Sequence, residues 1–220
     1  MTPELTGLTV AIIDDDTVIR EGLPLLLPDL RLPPTYGDVE TFLADRPSVD
    51  VVLQDLVLTG TGRGRPLQGA AAIRLTAAGY RVLIYTNERR REALAGCLAA
   101  GARGVVHKAE SLTALRHAIT AVARGDIVIT PALVGLAEVV ERRGSLPALT
   151  PRQQAVLSAR ARGEPFHSIA QRLFISKRTA EDHMDVVARK FADYLRSHSP
   201  ADLERLLALG PGDLLDDPGR

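Results

Sequence analysis

Apolar residues gather in four short, largely β-branched runs: LTVAII (8–13), VDVVLQ (49–54), YRVLIY (80–85) and RGVVH (103–107), with a weaker one near PTYGDV (34–39). Between them the apolar spacing is helical, over roughly 17–27, 39–45, 69–79, 88–100 and 111–124. Strands apolar on both faces, alternating with helices, predict a parallel sheet covered on each side. Five βα units in about 125 residues predict one flavodoxin-like, doubly wound α/β domain. Beyond it, residues 126–147 read as a connector, helical in ALVGLAEVVERR and loose afterwards. From Leu149 the pattern is helical throughout, with no strand candidate. The expected division is therefore 1–125, a linker 126–147, a small all-α unit 148–209 and an acidic tail 210–220.

Charge sharpens this division. The chain is neutral as a whole, with 27 basic and 27 acidic residues, but residues 150–196 carry 9 basic against 5 acidic side chains. A wholesale polyanion binder is excluded, whereas a local anion-binding face is not. The single cysteine, Cys97, rules out an internal disulfide and a cysteine metal cluster, and its apolar surroundings predict burial. No apolar run is long enough to span a membrane, and MTPELTG lacks a signal-peptide pattern, so a cytoplasmic protein is expected.

In an open parallel sheet, ligands sit beyond the carboxyl ends of the strands. The first run leads into Asp14, Asp15 and Asp16, the next main run into Asp55, the next into Thr86 and the last into Lys108. Adjacent carboxylates repel one another and resist leaving water, so their gathering on one edge calls for a cation. Asp14, Asp15 and Asp55 suit Mg²⁺, which takes about six oxygens from carboxylates, waters and phosphate. A carboxylate so placed can attack phosphorus; Lys108 and the Thr86 hydroxyl would then stabilise the phosphoryl oxygens. Asp16 is better explained as the N-cap of the helix from Thr17.

IIDDDTVIREGL, VDVVLQDL, VLIYT and GARGVVHK, in this order, resemble the receiver domain of bacterial two-component response regulators. The resemblance implies that Asp55 is the phosphoacceptor and that Asp14, Asp15, Asp55 and the Val57 carbonyl hold Mg²⁺. Thr86 and Lys108 become the switch hydroxyl and the phosphate partner, and a sensor histidine kinase is implied as phosphoryl donor. Departures are Val105 where an aromatic switch residue is usual, Thr59 where proline is common, and Asn87 after the threonine. The 59–69 loop, with Arg63 and Arg65, is longer than usual.

The stretch LTPRQQAVLSARARGEPFHSIAQRLFISKRTAEDHMDVVARKF predicts three helices. Thr150 with Pro151 starts the first, Gly163 ends it, and Ser176 starts a longer third. LTPRQ, IAQRLFIS and Thr179–His183 resemble the LuxR-type helix-turn-helix of NarL/FixJ regulators. The resemblance implies double-stranded DNA as partner and a homodimer, with the final helix SPADLERLLAL and its Leu203, Leu206 and Leu207 as a dimerisation element. Ala180, Met184, Val187 and Phe191 are expected to face inward. The outward face then carries Arg178, Glu181, Asp182, Asp185 and Arg189. Phosphate contacts are expected from Arg172, Lys177, Arg178, Arg189 and Lys190. The three carboxylates can accept from the cytosine amino group, or be paired within the helix, Arg178 with Glu181 or Asp182 and Asp185 with Arg189.

Two functions compete. One is a transcription factor gated by phosphorylation of Asp55, with constitutive activity as a variant suggested by Val105 and Asn87. The other is a receiver-linked interaction protein whose acidic helix meets another protein. No catalytic triad, P-loop or dinucleotide motif points to an enzyme.

Overall fold

In the computed structural model of the chain, residues 7–31, 34–59, 67–128, 131–142 and 148–198 are described, with Ala201, Asp202 and Arg205 beyond them. Four strands, β1 (Val10–Ile13), β2 (Val51–Gln54), β3 (Val82–Thr86) and β4 (Val105–His107), pair in parallel in the order β1-β2-β3-β4. Their register sets Ile13 beside Gln54, Gln54 beside Ile84 and Thr86 beside His107, which aligns the carboxyl ends along one edge.

The fifth strand expected near 34–39 is reduced to isolated parallel bridges, Thr9 with Arg31 and Ile13 with Tyr36. The physical reason lies in LPP (32–34): two consecutive prolines carry no N–H for a ladder. What survives is Tyr36 N–H donating to Ile12 O at 2.9 Å and Asp14 N–H to Tyr36 O at 3.0 Å. The chain thus visits one side of β1 before crossing to β2 on the other, so the order reverses at β1, beside the ends of β1 and β2.

Side chains alternate along each strand. Val10, Ile12, Leu53, Leu83 and Val106 face α1 (Thr17–Leu26) and α5 (Leu112–Ala123), packing on Leu23, Leu27, Leu115 and Ile119. Ala11, Ile13 and Val52 face α2 (Val39–Asp45) and α3 (Gly69–Ala77). Val82, Ile84 and Val105 face α4 (Arg91–Ala99). That helix starts three residues later than its periodicity predicts, because Glu88 Oε1 accepts the N–H groups of Arg89 and Arg90 and keeps them outside it. The Arg90 guanidinium holds the Glu88 carboxyl down at about 2. Cys97 is buried as expected, and burial pushes its thiol up to about 12.

The connector is a packed element. Helix α6 (Pro131–Arg142) buries Leu133, Val134, Leu136, Ala137 and Val140. These residues join β3 and α4 to α7 (Pro151–Ala161), α8 (Phe166–Leu173) and α9 (Lys177–Ser197) in one apolar cluster. Val105, at the departed switch position, lies fully buried in that cluster. Ala180, Met184, Val187 and Phe191 of α9 point inward as their spacing requires.

The caps follow the sequence. Asp16 accepts Val18 N–H at 2.9 Å, Ser176 accepts Thr179 N–H at 2.9 Å, and Gly163 turns the chain after α7 at φ +82°. Thr150 and Gln153 form a reciprocal capping box, each side chain accepting the other's N–H. Thr150→Ala leaves the Gln153 N–H without this acceptor and should cost about 1 kcal/mol. Urea unfolding followed by circular dichroism measures it, and a loss below a few tenths would contradict the cap's role.

Candidate functional site

Asp14 directly follows β1 and Asp55 directly follows β2, so adjacent strand ends present their carboxylates side by side. Asp14 is 1% and Asp55 8% exposed. Lys108, just beyond β4, reaches across the edge, its Nζ 2.8 Å from Asp14 Oδ2 and 2.9 Å from Asp55 Oδ2. Its own N–H donates to Thr86 O at 2.8 Å, which fixes the base of the side chain. The second oxygen of Asp55, Oδ1, accepts Leu56 N–H at 2.7 Å. That bond orients the carboxylate and leaves Oδ2 beside the ammonium.

One cation faces two carboxylates, and burial competes with their mutual hydrogen bonds to set the ionisation. Burial pushes Asp14 above the ordinary carboxylate value, against the pull of Lys108 and the Asp16 N–H. Burial pushes Lys108 downward, but bonds to Asp14 and Asp55 outweigh it and hold the ammonium above its ordinary value. Asp15 is less buried, and there the opposing effects resolve the other way. Burial raises it, yet the Thr59 hydroxyl and N–H together hold it below the usual range. The Thr59 N–H to Asp15 Oδ2 distance is 2.9 Å, and the hydroxyl bonds the same oxygen. Sequence reasoning marked Thr59 only as a departure from proline; the signal for its role was that it restores an N–H at that position.

Asp14, Asp15 and Asp55 each offer an oxygen within 4.8 Å of the others'. Such a set of hard anionic oxygens suits Mg²⁺ and gives soft metals no ligand. Val57, two residues beyond Asp55, is exposed. Thr86 is the last residue of β3, 1% exposed, and its hydroxyl oxygen accepts Glu88 N–H at 3.2 Å. Asn87 turns its carbonyl to His107 Nε2 at 3.0 Å. Arg63 and Arg65 lie outside the described residues, as do Leu203, Leu206 and Leu207.

The outward face of α9 is solvent-exposed at Lys177, Arg178, Asp182, Asp185 and Arg189, with Glu181 half-buried. Lys177 pairs with Glu181 at 3.4 Å and Arg178 with Asp182 at 3.3 Å, both one helical turn apart. The expected pair of Asp185 with Arg189 does not form among the described residues; Arg189 acts on Asp185 only as a nearby charge. Partial burial, then the charges of Asp182 and Glu181, raise the Asp185 carboxyl. Two of the expected phosphate-contacting cations are committed elsewhere. Lys190 Nζ donates to Ala148 O at 2.6 Å, and Arg172 grips Glu164 at 2.9 Å. Neither partner was legible, since both contacts are fixed by the path of the chain into α7 and α8. Among the described residues, no helix is long and apolar enough to cross a membrane.

Comparison with known proteins agrees with this two-part arrangement. Residues 147–195 match the model of bacterial regulatory proteins of the luxR family. The chain is 30% identical over 189 residues to the probable transcriptional regulatory protein SgaR of Hyphomicrobium methylovorum, covering 84% of this chain and 86% of that one. It is 26% identical over 193 residues to the nitrate/nitrite response regulator protein NarL of Escherichia coli K12, covering 83% and 88%. The RcsB response regulator of Salmonella typhimurium shares the fold at TM-score 0.53 and 19% identity, over 92% of this chain and 99% of that one. With a carboxylate edge on a parallel sheet, a luxR-type helical module behind it and full-length relatives of the same build, the chain belongs to the NarL/FixJ family of response regulators.

Proposed function

We propose that the chain is a DNA-binding transcriptional regulator whose output is set by phosphorylation of Asp55. The observation that carries this reading is the placement of Asp55: an oriented carboxylate with Oδ2 2.9 Å from an ammonium, beside two further carboxylates at the end of β1. Oδ2 attacks the phosphorus of a phosphohistidine or a small phosphoryl donor. The new bond is an acyl phosphate, and the donor's bond to phosphorus breaks with its electron pair leaving on the donor. Lys108 remains against the new dianionic group as its charge partner. Asp14, Asp15, Asp55 and the Val57 carbonyl would hold Mg²⁺, which would supply charge neutralisation for the transferring group. The buried Thr86 hydroxyl keeps its proton free to donate toward the phosphoryl oxygens while its oxygen serves Glu88 N–H.

The route outward starts from the same edge. Val105 and Ile84 lie on the sheet face packed with α4 and α6, and α6 continues into the α7–α9 module. Thr86, two residues beyond Ile84 on β3, adjoins a packed path from the sheet edge to these helices. On α9, Lys177, Arg178 and Arg189 offer phosphate contacts, while Glu181, Asp182 and Asp185 form the base-reading row. Residues 1–125 act as the receiver, 126–147 as the coupling segment and 148–209 as the DNA-binding part. The protein works in the cytoplasm as a homodimer when active, and its self-phosphorylation is regulatory chemistry.

The test is a pull-down of genomic fragments by full-length protein, with and without a small phosphoryl donor and Mg²⁺, with Asp55→Asn alongside. Mass spectrometry should show one phosphoryl group on the wild type and none on the variant. Enrichment of a short palindromic site, stronger after phosphorylation and indifferent to the donor in Asp55→Asn, is the expected result. No enrichment by protein shown to be phosphorylated would overturn DNA as the partner. It would favour the second reading, in which the acidic row of α9 meets another protein.

A further inference from the structure

The three clustered carboxylates are not balanced by the same group. Lys108 spans Asp14 and Asp55 and gives them both a cation. Asp15 instead receives the Thr59 hydroxyl and the Thr59 N–H, both on Oδ2, and its own amide lies close enough to donate as well. Thr59 stands four residues beyond Asp55, and a proline there would remove both donors together with the hydroxyl-bearing side chain. Ammonium, hydroxyl and amide thus supply from within the chain the positive charge and partial charge that an ion would bring.

From this division, and resting on the reading of the carboxylates as a Mg²⁺ site, we propose that Thr59 gates that site by holding Asp15 in its cation-free arrangement. A carboxylate oxygen has two lone-pair positions, and Thr59 fills both on Oδ2. An ion ligated through Oδ2 has to displace or weaken these bonds. Whatever part of that stabilisation is lost on ligation lowers the affinity for the ion by the same factor, and the ion in turn loosens Thr59. Hydrogen bonds to a charged group are strong enough to matter here, on the order of tenfold in affinity for one hydroxyl at a partly exposed site. Thr59 is accordingly a positioning residue: it acts on the ion through Asp15, and it ties occupancy of the site to the chain segment that follows β2.

The experiment is a calorimetric titration of full-length protein with MgCl₂, for wild type, Thr59→Val, Thr59→Ser and Asp15→Asn. Thr59→Val keeps the side-chain shape and the N–H but loses the hydroxyl; it should bind Mg²⁺ about tenfold more tightly. Thr59→Ser restores the hydroxyl and should return to the wild-type value, while Asp15→Asn should weaken binding whatever stands at 59. A second readout is independent of affinity: amide hydrogen exchange at Thr59 should speed up when Mg²⁺ is added to the wild type. Equal or weaker binding by Thr59→Val, or a Thr59→Ser that behaves like valine, overturns the gate while leaving the metal site standing. No Mg²⁺ binding by any of the four overturns the metal site and the gate with it.

Discussion

Lys108→Met should lose about 3 kcal/mol of folding stability at neutral pH, the largest loss expected from any single change at the strand ends. The side chain is 13% exposed and its partners Asp14 and Asp55 are 2% and 10% exposed, so water compensates little when the ammonium is removed. Methionine fills the volume, and the loss is then electrostatic: two carboxylates left together, each raising the other's cost of ionisation. The deficit carries a pH signature. Asp14 already sits above its ordinary 3.8 in the fold, because burial outweighs its partners. A raised carboxylate favours the folded state below the unfolded value and loses that advantage as pH rises through the folded one. Removing Lys108 takes away the charge that pulls Asp14 down and raises it further, so the variant's deficit should be small near pH 4, where Asp14 can protonate, and full at pH 7. Mg²⁺ should recover part of it at pH 7, since the ion answers the same charge. Urea unfolding at the two pH values, with and without Mg²⁺, gives the numbers. A pH-independent deficit, or one under about 1 kcal/mol at pH 7, would show that Lys108 is not the counter-charge of the edge.

Lys108 also marks how far the sequence could be read. Its position follows from local rules: an apolar run ends, and the next residue must lie on the edge where every other strand ends. The same rule places Asp14, Asp55 and Thr86, because parallel strands share one polarity and one carboxyl edge. Inward-facing Ala180, Met184, Val187 and Phe191 were legible for a similar reason, since helical periodicity is a local property and the buried face repeats it. Thr59 on Asp15, Lys190 on the Ala148 carbonyl and Arg172 on Glu164 were not legible. Each joins residues whose approach depends on where a loop travels, and no spacing encodes that. The missing edge strand is an intermediate case. Its prolines were plain in the sequence, but whether Tyr36 would still bridge to β1 depended on tertiary packing around Phe42, against which the tyrosine ring sits edge-on at 5.2 Å. The packing of α6 between α4 and α7 belongs to the same class: its apolar stripe was visible, but its neighbours were not.

On α9, Glu181→Lys, Asp182→Lys and Asp185→Lys together should raise non-specific affinity for duplex DNA on the order of 10²-fold at low salt, and steepen the salt dependence by about two to three. Each change removes a repulsion from phosphate and adds an attraction; about 0.9 is gained in the slope for every new contact. The helix itself should survive. The pairs given up, Lys177–Glu181 and Arg178–Asp182, are exposed and worth a few tenths of a kcal/mol each. Asp185 has no ion pair to lose among the described residues, and its carboxyl is already disfavoured by partial burial and by its two acidic neighbours. Specificity should move the opposite way. If the row accepts hydrogen bonds from cytosine amino groups, each such pair discriminates by about 1–3 kcal/mol. The triple variant then binds all sequences more tightly and prefers its own site less. Fluorescence anisotropy with a selected site and a scrambled duplex, across a salt series, separates the two effects. A wild type with no sequence preference beside a variant that binds any duplex would mean that the carboxylates keep α9 off DNA, and that its exposed face answers to a protein.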